Sequence, residues 1–440
     1  EALKARGISK IEVQTPHAAN VPGAVDAWVT LNRDHGKLPF ARLVEPAIDA
    51  AKNGFAVAPR VSHDWAKLVE KLSRHEGSRK HLLVNGKAPK VGSVMRMPAF
   101  AATLERIAKG GAEEFYKGAT ARDLVATLAA EGGFHTAEDF ARQLGSASYV
   151  DPIGVAYRGI ELHELPPSNQ GVVALMVLKI LERFPIAKDG PTSIARFHLE
   201  LEAARHGYAA RDVYLADPDA LDRPLDFLWS DRVADEIANR IDMKKRKEDL
   251  GPPPKPAGTD TTCLSVVDKD GMAVSFINSL FSGFGSAIVG LDSGVTLQNR
   301  GTGFVLTPGH PNAIGPGKRP LHTLVPAMAM KQGKPWIAFN VMGGAYQALG
   351  HVHVLTNRHD YGLDIQEACD HPRVFFEEGP VLVEAGVPQA VRDGLKALGH
   401  PGLGVREDPW GGAQAIEFDH TNGTLWGGSD PRKDGCALGY

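Results

Sequence analysis

Thr261 heads a β-rich run, Thr261-Thr-Cys-Leu-Ser-Val-Val-Asp268, just after the stretch Gly251-Pro-Pro-Pro-Lys-Pro-Ala-Gly258. A threonine hydroxyl is a poor nucleophile until a base takes its proton. If the chain were cut between Asp260 and Thr261, the freed α-amine would be that base. An unperturbed α-amine has a pKa of about 7.7–8.0, so a sizeable neutral fraction exists near pH 7. One residue would then supply both nucleophile and base. A second β-rich run, Met272-Ala-Val-Ser-Phe-Ile-Asn278, follows the turn Lys269-Asp-Gly271. Two such runs around Asp-Gly predict an antiparallel hairpin. Its register sets Ser279 roughly across from Thr261, where a second hydroxyl could orient the first. On local pattern alone, Thr-Thr at the head of a strand reads as plain strand.

Other chemistry-bearing residues carry less. The histidines number 17, but His351-Val-His353 reads as helix, where i and i+2 diverge, and no His-Glu-x-x-His accompanies it; structural histidines are expected. Ser168-Asn-Gln-Gly171 lacks the Gly-x-Ser-x-Gly frame of a nucleophile elbow and reads as a helix cap. Cys263, Cys369 and Cys436 are odd in number, without Cys-x-x-Cys spacing, which excludes a disulfide framework and a four-thiolate zinc site. No metal or organic cofactor is expected.

The elements that must position Thr261 fall in a clear order. Leu43–Ala51 has apolar residues at helical spacing with Asn53-Gly54 as a stop, and Met97–Lys109 and Ala119–Ala130 repeat the pattern. Tyr157–Leu165 predicts a strand, after which Ser168 caps an apolar helix through Phe184. Further helices are expected over Ile194–Tyr208 and Ser230–Lys247, the latter ending in the solvated cluster Lys244-Lys-Arg-Lys247. The Pro/Gly stretch 251–258 is a linker or exposed loop. After the first hairpin a second is expected, Leu324–Met330 with Trp336–Met342, then helices over Tyr346–Arg358, Ile365–Asp370 and Pro388–Leu398. Helices first, then strands, then helices packed on them imply α+β layering rather than a doubly wound parallel sheet.

Composition sets outer limits. The chain has 440 residues, 49 basic and 52 acidic, with a net charge of −3. No basic excess argues for nucleic acid or an anionic membrane, so a small molecule is the expected partner. Val172–Leu181 is apolar but too short to span a bilayer. The opening Glu-Ala-Leu-Lys-Ala-Arg-Gly reads as the middle of a helix and not as a signal peptide. A true N-terminus upstream is expected, and the compartment stays unknown, leaning cytoplasmic.

Thr261-Thr262-x-x-Ser265-Val-Val-Asp-Lys-Asp-Gly271-x-Ala273-Val274 resembles the processing site of γ-glutamyltranspeptidases. In the family's order follow Pro316-Gly-Lys-Arg319, Met342-Gly-Gly344, Tyr361-Gly-Leu-Asp364 with Pro372-Arg373, and Asp430-Pro-Arg-Lys-Asp-Gly435. The helical part resembles the large subunit at Val21-Pro-Gly-Ala24, Pro46-Ala47 and Leu165-Pro-Pro-Ser-Asn-Gln-Gly171. The resemblance implies a four-layer αββα N-terminal nucleophile hydrolase. Autocleavage at Asp260–Thr261 would yield a large subunit, 1–260, and a small one, 261–440; whether such pairs dimerise is left open. It makes Thr261 the nucleophile and Ser279 its assistant. Gly343 and Gly344 become the oxyanion hole, where a side-chain-free turn lets a carbonyl approach two N–H donors.

The departures bear on substrate. Where the family has an acidic pair before a Phe for the substrate's α-amino group, this chain has Asn299-Arg300-Gly301-Thr302-Gly303-Phe304. Phe281 replaces an Asn, and His322 and Thr323 replace two serines that bind the α-carboxylate. The loop between Leu306 and Pro316 is shorter than the family's lid loop. Neither the family's Gly-Gly-Asn-Ala-Val-Asp-Ala-Ala-like helix nor its carboxylate-gripping Arg occurs. Arg300 and Arg319 are the anion contacts left to consider, with a structural role the plainer reading of each. An α-ammonium would be desolvated unpaired at a cost of several kcal/mol. A small carboxylate-bearing amide without an ammonium fits better, in the range of oxamate amidohydrolases and cephalosporin acylases. The rival readings are a true γ-glutamyl hydrolase or transferase, and an unprocessed binding scaffold.

Overall fold

The computed structural model describes residues 2–248, 260–376 and 379–440. The predicted linker at 251–258 lies outside them. The chain forms two compact units, Glu1–Tyr149 with Leu280–Phe304, and Val150–Ser279 with Val305–Tyr440. Residues 260 and 261 both lie within Val150–Ser279, so a cut between them would fall inside the second unit and not at a boundary between units.

The first unit is mainly helical. Helices span Ala24–His35, Phe40–Asn53, Pro98–Lys117 and Ala119–Ala130. The helix over Phe40–Asn53 stops at Gly54, whose φ of 100° suits glycine alone. The sequence predicts an end at Lys109; the helix runs to Lys117 but is broken at Gly111, with φ 62° and ψ −154°. Ile107, Phe115, Tyr116, Leu124, Leu128 and Phe140 make one core with Ile288 and Leu297 of the returning segment.

The second unit carries the hairpins. Strands β1 (Ile153–Tyr157) and β2 (Ile160–Glu164) precede helices α1 (Gly171–Leu181) and α2 (Ile194–Tyr214). Then come β3 (Asp260–Val267), β4 (Ala273–Phe281), β5 (Pro326–Lys331) and β6 (Lys334–Met342). Helix α3 (Tyr346–His359) follows, and later β7 (Gly412–Asp419) and β8 (Thr424–Ser429). An antiparallel sheet has the order β8-β7-β6-β5-β2-β1, and β3 and β4 pair as a separate two-stranded layer.

Side-chain alternation along β6 explains the layering. Ile337, Phe339 and Val341 share a core with α1, α2 and α3. From the opposite face, Asn340 Nδ2 donates to Leu264 O at 2.8 Å and to Ser275 Oγ at 3.2 Å. Ser275 Oγ in turn donates to Phe339 O at 2.7 Å. Helices therefore cover one face of the sheet and the β3–β4 hairpin covers the other. Helix α1 is buried all round apart from Lys179, as a helix enclosed by its neighbours must be. Each Val, Leu or Ile side chain so enclosed contributes about 1.5–3 kcal/mol.

Several expected elements differ. The strand expected over Tyr157–Leu165 is a hairpin, β1–β2, because Arg158 and Gly159 both take positive φ and turn the chain. Ser168 does not cap α1; Gln170 occupies that position, and Ser168 O accepts from His322 N at 3.0 Å. The helix expected over Ser230–Lys247 spans only Asp231–Ala238, so Lys244–Lys247 is no helix C-terminus. Glu202 holds Lys247 N at 2.9 Å and Leu398 O holds Arg246 N at 2.7 Å, tertiary contacts that pull this stretch out of helical form.

Candidate active site

Thr261 and Ser279 stand on neighbouring strands of the β3–β4 hairpin, Thr261 Oγ1 bonded to Ser279 Oγ at 3.0 Å. The turn that fixes this register is closed by Asp268 O, which accepts from Gly271 N at 3.0 Å, while Asp268 N donates to Met272 O at 3.0 Å. Its side chain adds a second clasp, Oδ1 accepting from Asp270 N and Met272 N at 2.9 Å each. Asp260, on the far side of the expected scissile bond, is the first residue of β3.

The strand period gives Thr261 its direction. Ser265 Oγ donates to Gln414 O at 3.2 Å, and Cys263 Sγ lies 3.7 Å from Gly412 O. Two residues along β3 thus match two along β7. Cys263 therefore faces the point where β6 ends and β7 begins, since Met342 pairs with Gly412, and Thr261 lies two residues further along β3. Gly343 and Gly344 leave β6 there, with φ of 129° and 60°. A Cβ on Gly343 would lie 3.0 Å from Gly411 Cα, so glycine is required for space as well as for torsion. The turn leads straight into α3, whose first amides, Tyr346 N and Gln347 N, donate to Gly343 O and Gly344 O at 3.2 Å.

Buried polar residues fix the turn from behind. Gln170 Nε2 donates to Gly344 O at 2.9 Å and to Ala345 O at 3.2 Å. The Tyr208 hydroxyl also donates to Ala345 O. On the β7 side, Arg373 binds Trp410 O and the Asp430 carboxylate, and Asp430 Oδ2 accepts from Ala413 N at 2.9 Å. Arg432 joins them at 3.0 Å from Asp430 Oδ1. The Pro372-Arg373 and Asp430-Pro-Arg432 motifs therefore brace the strand end facing Gly343. Sequence reading treated Gln170 as part of a cap and missed Tyr208, Asn340 and Arg211. The one available signal was a polar Ser-Asn-Gln run wedged between Pro-Pro and an apolar helix.

His322 sits beside the same buried segment, bridged to Asn169, with its Nδ1 accepting from Leu324 N at 3.3 Å. Thr323 is 4% exposed, and its hydroxyl has no hydrogen-bond partner among the described residues. Cys263 is no rival nucleophile: burial pushes its thiol up to about 12. His351 and His353 are core groups, bound to Glu164 at 2.7 Å and Glu200 at 3.1 Å. Among the described residues no group of three or more His, Cys, Asp or Glu could hold a metal ion. No helix among them is long and apolar enough to cross a membrane.

The first unit holds Phe281, Asn299, Arg300 and Thr302. Asn299–Gly303 forms a tight turn in which Thr302 Oγ1 donates to Asn299 O at 2.9 Å. Asn299 Nδ2 donates to Val13 O at 3.2 Å and to Ser282 Oγ, and its Oδ1 accepts from Ser282 N at 3.2 Å, a structural role. Arg300 differs. It is 8% exposed, its guanidinium stands 5.1 Å from the centre of the Phe281 ring, and neither terminal nitrogen has a hydrogen-bond partner among the described residues. Burial alone pulls its pKa down to about 9. Arg319, the other anion candidate, is already paired, 2.9 Å from Asp217.

Helices on one face of an antiparallel sheet, a hairpin on the other and a hydroxyl residue heading that hairpin define the N-terminal nucleophile class of amide hydrolases. Solved structures agree: cephalosporin acylase from Bacillus halodurans superposes with a TM-score of 0.91 at 34% identity, covering 100% of this chain and 82% of that one. The chain belongs to the γ-glutamyltranspeptidase family, whose model matches residues 2–440. It is 35% identical to the glutathione hydrolase-like YwrD proenzyme of Bacillus subtilis, over 100% of this chain and 82% of that protein. It is 34% identical to the oxamate amidohydrolase proenzyme of Klebsiella pneumoniae, over 97% and 82%. The αββα class expected from the sequence holds, and the chain is an amide hydrolase of this family.

Proposed function

We propose that the chain is an autoprocessing N-terminal-threonine amidohydrolase that cleaves a small carboxylate-bearing amide through an acyl-enzyme. The observation that carries this is the Thr261–Ser279 hydroxyl pair at 3.0 Å on a braced hairpin. Scission between Asp260 and Thr261 frees the Thr261 amine and leaves subunits 1–260 and 261–440. That amine takes the proton of Thr261 Oγ1, which attacks the substrate carbonyl. The Gly343 and Gly344 N–H groups stabilise the oxyanion. The α-ammonium returns its proton to the leaving amine, and water then hydrolyses the Thr261 ester, releasing the acid and regenerating the hydroxyl. His322 and Thr323, in the same unit as Thr261, are assigned to the acyl preference, and Arg300 of the first unit is a candidate anion contact.

Arg300 supports an anionic acyl group. A buried cation without a carboxylate partner is costly unless a ligand supplies the countercharge. It stands in the stretch where γ-glutamyl enzymes carry an acid, and like charge there repels a substrate ammonium. Among the relatives' names, oxamate amidohydrolase names a carboxylate-bearing amide without an ammonium, while glutathione hydrolase names a γ-glutamyl substrate.

A denaturing gel with N-terminal sequencing of the smaller band, run beside kinetics on oxamate, glutaryl-p-nitroanilide and γ-glutamyl-p-nitroanilide, tests both parts. The expected result is a small chain starting at Thr261 and preference for the acyl donors lacking an ammonium. Efficient γ-glutamyl turnover would overturn the substrate assignment. A persistent full-length band in wild-type protein would overturn the mechanism.

A further inference from the structure

We propose that Gln170 is a positioning residue for the Gly343–Gly344 turn, its side-chain amide anchoring the carbonyls of Gly344 and Ala345 at the downstream end of the turn and Arg211 aiming that amide. The proposal rests on the reading of those glycines as oxyanion donors.

Two successive glycines at φ 129° and 60° lack the Cβ that would restrict their torsions, so the aim of their N–H groups depends on what holds the flanking carbonyls. Gln170 is wholly buried and anchors the downstream end of the turn, holding Gly344 O at 2.9 Å and Ala345 O at 3.2 Å, while Gly343 O, in the same peptide as Gly344 N–H, accepts from Tyr346 N at 3.2 Å. Its Oε1 accepts from Arg211 Nη1 at 2.9 Å. Arg211 is held by Asp212 at 2.6 Å and stands 4.9 Å from the centre of the Tyr208 ring. This arrangement fixes the amide's orientation. Flipping it would set oxygen against two carbonyls and the NH2 group against a guanidinium. A primary amide accepts at one end and donates twice at the other, which this position uses in full; a carboxylate accepts only, and a thioether does neither well.

Helix capping does not explain the residue. Gln170 occupies the N-cap position of α1, yet its side chain makes no capping bond. The neighbouring Asn169 Oδ1 takes Gly171 N at 2.8 Å instead. Ser168 O, in the same segment, accepts from His322 N at 3.0 Å. One buried segment thus fixes both His322 and the glycine turn, so their relative placement is set without a flexible loop between them.

Gln170→Glu, Gln170→Met and Arg211→Met, each quantified as mature enzyme, would be assayed beside the wild type with oxamate and glutaryl-p-nitroanilide, and Tm recorded. Loss of one aimed donor costs about 100- to 1,000-fold in kcat, so misaiming should cost about 10- to 100-fold, with KM within about threefold. Gln170→Glu is decisive, because it keeps the size and the Arg211 bond while reversing the end that faces the carbonyls. A merely space-filling role leaves its kcat near wild type. The proposal is overturned if kcat per mature enzyme stays within about twofold in Gln170→Glu, or if only Tm or KM moves. Should that variant not mature, Arg211→Met decides by the same criterion. Wild-type protein that hydrolyses no amide overturns the underlying reading as well, whereas active wild type beside indifferent variants overturns this proposal alone.

Discussion

Thr261 Oγ1 and Ser279 Oγ meet 3.0 Å apart across a two-strand hairpin, so backbone pairing and not loop packing sets their geometry. Thr261→Ala should abolish both chain scission and turnover, read on a denaturing gel and in an amide assay. Ser279→Ala removes one orienting hydrogen bond of about 0.5–1.5 kcal/mol, so kcat should fall about 2- to 13-fold with KM unchanged. Ser279→Thr should retain most of the activity, since the hydroxyl stays.

Arg300 is a cation kept out of water, with burial pulling its pKa down to about 9. At pH 7 it remains charged, and binding an anion requires that form. KM for a carboxylate-bearing amide should therefore be flat below about pH 9 and rise above it. In Arg300→Met that rise should vanish and KM at pH 7 should increase about tenfold or more. The same variant should melt several degrees higher without ligand, because an uncompensated buried charge has been removed. An unchanged Tm together with unchanged KM would show that the guanidinium has another role.

Gly343 combines a φ of 129° with 3.0 Å of room before Gly411 Cα. Gly343→Ala meets both torsional strain, about 1–3 kcal/mol, and backbone contact. On the proposed oxyanion role of the turn, kcat should drop about 100-fold or more while the helical content by circular dichroism stays native. Wild-type kcat in this variant would remove Gly343 from the oxyanion hole.

His198 Nδ1 lies 2.7 Å from His400 Nε2 in the interior, and His371 bonds Thr192 at 2.9 Å. Burial first, then nearby cations, push His400 and His371 down to about 3 from the ordinary 6.5. Above pH 6.5 both states are neutral and the stabilisation is complete. As pH falls below 6.5 the unfolded chain takes up protons that the folded one refuses, so stability is lost progressively toward pH 3. Tm measured from pH 7 to pH 4 should fall, and less steeply in His400→Gln. Equal slopes would place the acid sensitivity elsewhere.

The sequence by itself determined the first hairpin and its register, because Asp-Gly between two β-rich runs leaves few other arrangements. It determined the helices over Ile365–Asp370 and Tyr346–Arg358, and through its ordered motifs it determined the family. Local signals stopped where tertiary contacts compete with them. The basic run Lys244–Lys247 has helical propensity, but Glu202 and Leu398 claim its backbone amides. Motif matching marked Arg373 and Asp430 without a reason; folding shows them bracing the strand end opposite Gly343. Gln170, Arg211 and Ala345 lie far apart in the chain, and no spacing rule relates them. Only the folded chain decides which of two arginines keeps an unsatisfied charge. Arg319 finds Asp217, and Arg300 finds an aromatic ring, because countercharge depends on three-dimensional neighbours and not on order along the chain.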